Sequence, residues 1–378
     1  LRDLWKELKC LMDAELIRFD TVDPSSWKQD AMNNIDSLRN RLQEAKTPAH
    51  LRLREKICTS DVDDLTYDSP LANGIIDLGS SQYQITENDY EILLGKKSGI
   101  KNLRKGPSIR EACADFIVNR DKVQNEIQNQ HKFIISPSEI LTHDLWVERE
   151  IDRKQVAVNI TDTLLQEIKR NVLHRVSGGS ENAFVDAITR IIEMSLHQIP
   201  IDLDIEVTRN DVQSMASKRR KLRQTVGTSR ARGNKPDLMV RVFLKKKWKE
   251  LAYLESGKWK STNTKTHNDH NKLARFCLDG LVDMSKKLPK NELYQNCIIF
   301  GINITDEHFI VIHGMMRENC IKFYLPIIKA KIPFHNAPLD EVEDFVHALL
   351  VLRMSKSTQD NENYSSDDST IRTPRRRG

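Results

Sequence analysis

The chain has 378 residues and a mass of 43.7 kDa, is 39% hydrophobic and 30% charged, and carries a net charge of +5. That composition fits two globular domains, or one large domain with an appendage, and the absence of any apolar run near 18 residues argues against a membrane span. Six widely spaced cysteines with no CxxC pair argue against a structural zinc site and a disulfide scaffold, so an intracellular protein is expected.

The N-terminal decapeptide LRDLWKELKC is amphipathic and charged, unlike a signal peptide. Leu1, Leu4, Trp5, Leu8, Leu11 and Met12 share one helical face, and Ile35, Leu38 and Leu42 mark a second helix that stops before Pro48. Residues 58–107 lose this period and are rich in Asp, Ser, Gly and Asn, which predicts loop with short strands. Pro107-Ser108 through Glu111 has capping-box chemistry and leads into a helix carrying Ile109, Cys113, Phe116, Val123 and Ile127. Residues 1–150 are thus expected to be a mainly helical region with no residue tied to chemistry.

Beyond Pro137 the pattern changes. Leu164, Leu165, Ile168, Val172 and Val176 line a helix ending at Gly178-Gly179. Ser180 is a good N-cap for a second helix striped by Phe184, Ala187, Ile188, Ile191, Ile192 and Ser195, with Glu181 on that stripe. Ile201 to Val207 alternates with period two, as a strand does. Asp269 is expected to cap a helix bearing Leu273, Phe276, Cys277, Gly280, Leu281 and Met284. Cys297 to Ile304 is apolar almost throughout, as in a strand covered on both faces. Phe309–His313 and Ile321–Leu325 add strands, and Pro338 opens a last helix through Val342, Phe345, Val346, Leu349 and Leu350. From Ser355 the polar tail has little to bury and is expected to be disordered.

Between these elements lies Gly233 to Lys258, which predicts a hairpin with a lysine-rich turn and Asp237, Glu255 and Lys258 towards one end. Just before it, Lys218, Arg219, Arg220, Lys221, Arg223, Arg230, Arg232 and Lys235 fall between Lys218 and Pro236 without an acidic residue. As a loop, 218–235 would attract a polyanion, although a nuclear-import signal or a solvated insertion gives the same pattern.

The helix–strand–strand–strand–helix–strand order predicts an α/β sandwich around a mixed sheet flanked by helices. With Glu181 in the first helix, Pro236-Asp237 on one strand and Glu255-Ser-Gly-Lys258 on the next, residues 160–354 resemble the PD-(D/E)xK nuclease superfamily. The likeness extends to divergent fungal members in which this core follows a variable N-terminal region. It implies a restriction-endonuclease-like core that hydrolyses DNA phosphodiester bonds with Mg2+ or Mn2+, in the nucleus. Asp237 and Glu255 would ligate the metal, Glu181 would support it, and Lys258 would orient the attacking water.

One departure stands out. The family separates its Glu and Lys by two residues, whereas three separate Glu255 from Lys258, which in a regular strand sends Lys258 to the other face. Either a bulge at Gly257 re-aims it, or Lys272 on the next helix supplies the ammonium, or the lysine function is lost. The last option implies a catalytically inactive module that binds nucleic acid or, through residues 1–150, protein partners. Read singly, Asp237 is also ordinary turn chemistry, Glu255 a solvated strand end and Lys258 a surface charge. His267-Asn-Asp-His270 is metal-capable but lacks a third ligand, so helix-start polarity is the plainer reading. Gly257-Lys258 is not a P-loop, since Trp259 replaces Ser/Thr, and no glycine-rich cofactor loop is present.

Overall fold

The computed structural model describes residues 24–102, 105–124, 140–143, 146–170, 181–196, 204–209, 212–224, 232–244, 247–256, 263–285, 297–304, 309–333 and 336–357. The expected first helix, Val172, Val176, Ile127 and residues 358–378 of the expected tail lie outside them, whereas Ser355 to Ser357 of that tail end the last helix. The architecture is α/β with a mixed seven-stranded sheet.

The strands are β1 (Ile75–Asp77), β4 (Ile205–Arg209), β5 (Leu238–Leu244), β6 (Lys247–Ser256), β7 (Ile299–Ile304), β8 (Phe309–Glu318) and β9 (Ile321–Lys331). Their order is β1-β9-β8-β7-β6-β5-β4, and only the β1–β9 and β6–β7 pairs are parallel. A separate antiparallel pair joins β2 (Ile140–His143) to β3 (Trp146–Arg149). β7 is buried along its whole length at the centre of the sheet, as its unbroken apolar run requires.

The sheet separates two apolar clusters, and successive strand residues alternate between them. Leu238, Val240, Ala252, Leu254, Phe300 and Ile302 join the larger cluster. It is completed by α1 (Pro24–Ala45), α2 (Pro48–Cys58), α3 (Glu87–Leu94), α4 (Pro107–Gln124), α5 (Glu150–Lys169), α6 (Glu181–Ser195) and α9 (Leu339–Ser357). Met239, Tyr253 and Ile299 face the smaller cluster, built on Leu273, Phe276, Cys277, Leu281 and Met284 of α8 (Asn263–Ser285). Gly301 lets α8 come close: a Cβ there would stand 2.9 Å from Leu273 Cγ and 2.7 Å from Tyr324 Oη.

Several expectations change. Residues 58–107 hold the helix α3, whose N-cap Thr86 forms a capping box with Asp89, and the edge strand β1. β1 adds in parallel to β9 and shares both clusters with the rest of the sheet, through Ile76 in the larger and Ile75 in the smaller. The strand expected from Ile201 runs instead from Ile205 to Arg209, residues 201–203 lying outside those described. Lys218 to Arg223 is not loop but part of a helix, α7 (Met215–Gln224). Asp269 is no cap, because α8 begins six residues earlier at Asn263.

Candidate functional site

The hairpin β5–β6 has a closed end at its lysine-rich turn and an open end at Asp237 and Glu255. The register ends with Leu238 paired to Leu254, and Asp237 and Glu255 are the residues just beyond that pair, close enough for the Asp237 charge to act on the Glu255 carboxyl. Two hydrogen bonds tie Asp237 to β6. The Asp237 N–H donates to Leu254 O at 3.1 Å, and the Ser256 N–H donates to Asp237 Oδ2 at 2.8 Å. Asp237 is therefore half-buried at the head of a strand, with one carboxyl oxygen already oriented.

Glu255 is almost fully enclosed, at 3% exposure. It lies one residue after Leu254 and thus faces α8, with Asn303 of β7 beside it in the parallel register. From α8, the Lys272 ammonium reaches Glu255 Oε2 at 2.7 Å. Glu255 Oε1 is buried and accepts no hydrogen bond. Burial pushes the carboxyl pKa up to about 8; Lys272 pulls it down, while the charges of Asp237 and Asp269 push it up. A carboxyl group with its pKa this high keeps its proton near neutral pH unless a further cation stabilises the charge.

Lys272, the alternative lysine, is therefore the described ammonium that meets Glu255. Lys258 and the side chain of Glu181 lie outside the described residues. So do Arg230 and the side chain of Arg223. Among the described residues, no group of three or more His, Cys, Asp or Glu converges as a metal cage.

The basic stretch is less free than its sequence suggests. Arg219 pairs with Asp283 at 2.6 Å, and Arg220 pairs with Asp279 at 2.8 Å while also reaching Tyr67 Oη. Both acids belong to α8, some 60 residues away in the chain, so no local count of charge could find them. Arg232 and Lys235 are exposed, and Lys218 and Lys221 are half-buried.

One further group escaped sequence reasoning. Glu250 is buried and caps α7: its Oε1 accepts from the Met215 N–H at 2.6 Å and the Ala216 N–H at 3.3 Å. Its Oε2 accepts from Ser214 Oγ at 2.6 Å and Tyr253 Oη at 2.8 Å. Ser214, a good N-cap type before Met-Ala-Ser-Lys, was the available signal for this helix. Of the His267-Asn-Asp-His270 cluster, His270 places its Nε2 2.7 Å from Asp77 Oδ2, a partner the sequence did not indicate. His313 stacks on Tyr324 beside it, with ring centroids 4.8 Å apart. His267 instead meets Asn271 at 3.0 Å, so the two histidines face different neighbours. No helix among the described residues is long and apolar enough to cross a membrane. Compared as a whole with family models, curated proteins and solved structures, the chain matches none.

Proposed function

We propose that this protein is a nuclease-like phosphodiesterase on a restriction-endonuclease-like core, hydrolysing DNA with a divalent metal ion, Mg2+ or Mn2+, at Asp237 and Glu255. The observation that carries the reading is the pair itself: two carboxyl groups close together at the open end of a hairpin, one with a buried oxygen that has no hydrogen-bond partner among the described residues. Such a donor set suits a hard cation that keeps several water ligands. When bound, the ion would offset charge on the phosphoryl group and acidify water.

The chain's own residues supply the rest. Ser256 N–H holds Asp237 Oδ2, leaving the carboxylate plane fixed as β5 begins. Lys272 holds Glu255 Oε2 and brings a positive charge to where a phosphate would sit. Exposed Arg232 and Lys235 lie on the approach to Asp237 along the chain and suit the sugar-phosphate backbone. The expected outcome is that purified protein nicks plasmid DNA with Mg2+, and that Asp237→Ala and Glu255→Ala each lower the rate at least about 100-fold. Identical residual cleavage by variants and wild type would mean a contaminant and defeat the proposal.

A second reading is a non-catalytic nucleic-acid-binding module, nuclear like the first. One observation favours it: Lys272 already gives Glu255 a cationic partner. Binding retained in EDTA with a steep salt slope, together with no nicking under any divalent ion, decides for this reading.

A further inference from the structure

Where α7 meets the closed end of the β5–β6 hairpin, a pocket of about 380 Å³ is lined by Met215, Arg219, Arg241, Lys247, Trp248 and Glu250. Its size falls in the range of small-ligand sites. Its chemistry is unusual for a surface. Trp248 is 38% exposed, and its cross-strand neighbour Phe243 is 39% exposed, the two rings 5.3 Å apart. Met215 is exposed to a similar degree. Large apolar side chains left in water together mark a contact surface rather than chance exposure.

The polar walls narrow the choice of partner. The Arg241 guanidinium sits 5.4 Å from the Trp248 ring centroid and pairs with Glu206, leaving further donors of its five. Lys247 is exposed and has no ion-pair partner among the described residues. The one acid in the wall, Glu250, accepts four hydrogen bonds from α7, Ser214 and Tyr253, so its oxygens are taken up. An aromatic face edged by cations, with its carboxylate occupied, is what stacks a base and holds the phosphates beside it.

We infer that this pocket seats an unpaired nucleobase of a single-stranded nucleic acid, stacked on Trp248 with Lys247 on a neighbouring phosphate. A base paired inside a duplex has its faces covered, so the surface favours single strands or unpaired tracts over duplex. The inference rests on the nuclease reading for one feature only, the track that links the two places. Phe243 lies six residues along β5 from Asp237, roughly 20 Å at the rise of a strand. An extended single strand anchored at Trp248 spans that distance with a few nucleotides.

The test uses the full chain in EDTA, with fluorescein-labelled thymidylate of about 15 nucleotides as a single strand and as a duplex with its complement. Anisotropy should show tighter binding to the single strand. Trp248→Ala should weaken that binding roughly tenfold, and Trp248→Phe should restore most of it. Lys247→Ala should reduce the salt slope by about one. Equal binding of duplex and single strand, or a Trp248→Ala chain that binds like wild type, overturns the inference. Displacement by polyglutamate at equal charge also overturns it, pointing to an acidic protein surface instead. Because no metal ion is present, failure to cleave plasmid leaves this result intact, and loss of single-strand preference leaves the cleavage result intact.

Discussion

The two ends of one hairpin place buried glutamates in opposite circumstances. Glu250, towards the closed end, accepts four hydrogen bonds and is the N-cap of α7 in all but sequence position. Glu255, at the open end, has one lysine on one oxygen and nothing on the other. Both are about as enclosed, at 6% and 3% exposure, so burial alone does not separate them. What separates them is whether the lost water has been replaced. A carboxylate whose donors are all supplied by the fold holds the fold together, and one left short of donors is available to a ligand.

The comparison makes its largest prediction at the closed end. Glu250→Ala leaves two α7 amides and two hydroxyls without their acceptor, and each such buried donor carries a desolvation cost. A loss of roughly 3 kcal/mol is expected, read as a lower urea midpoint with an unchanged m-value. Hydrogen exchange should quicken in the first turn of α7. A loss below about 1 kcal/mol would show that Glu250 is no better supported than Glu255, and the contrast would collapse.

At the open end the sign reverses. Glu255 has a folded pKa of about 8 against 4.5 for the free side chain. Between those values the unfolded chain has released the proton and the folded chain still holds it, so stability falls as pH rises through the window. Glu255→Gln cannot ionise and escapes that fall. The variant should gain on wild type as pH rises from 5 to 7, by about 2 kcal/mol at the upper value. Urea midpoints at each pH measure it. A constant difference between the two proteins across that range would mean that Glu255 ionises without strain.

How much of this was legible in the sequence follows from how far apart the causes lie. The hairpin, β7, α6 and α9 were legible because each carries its own period: Phe184, Ala187, Ile188, Ile191 and Ile192 alone specify a buried helical stripe. The closeness of Asp237 to Glu255 was legible because a hairpin is a local object whose register its own strands set. α7 was missed because its apolar content is slight and its run of basic residues reads as a loop; Ser214 offered a local N-cap, while Glu250, which takes two further amides, stands 35 residues downstream. β1 was expected only as an unplaced short strand within 58–107, because three residues have no period; pairing with the edge of β9 places it. The start of α8 was misplaced because Asn, Thr and His are poor helix formers, and the sheet and the Tyr67–Asp68 segment hold that helix in place. The second lysine candidate was recognisable only as a residue on the next helix; its approach to Glu255 depends on how closely α8 packs at Gly301.

The smallest expected effect sharpens the rule about missing partners. His313 Nδ1 is also buried without a hydrogen bond, so by that criterion alone it would resemble Glu255. Its environment differs in one respect: the ring can be neutral. Burial pushes its pKa down to about 3, the neighbouring His270 of α8 pushes the same way, and Asp77 of β1 opposes them. Tyr324 of β9 stacks against the ring without adding charge, its own pKa being driven well up by burial. The folded value thus lies below the 6.5 of a free histidine. Stability is full above that value and is lost as pH falls towards 3, the reverse of the slope set by Glu255. His313→Phe keeps an aromatic ring beside Tyr324 and removes the titration. Its offset at neutral pH carries no information, since a backbone hydrogen bond is lost with the imidazole. Its slope does: from pH 6.5 to 5 the variant should lose less than wild type, by about 1 kcal/mol, with nicking unchanged. Parallel curves would place the proton elsewhere. A divergent pair with normal nicking would show that a missing hydrogen bond does not by itself mark chemistry.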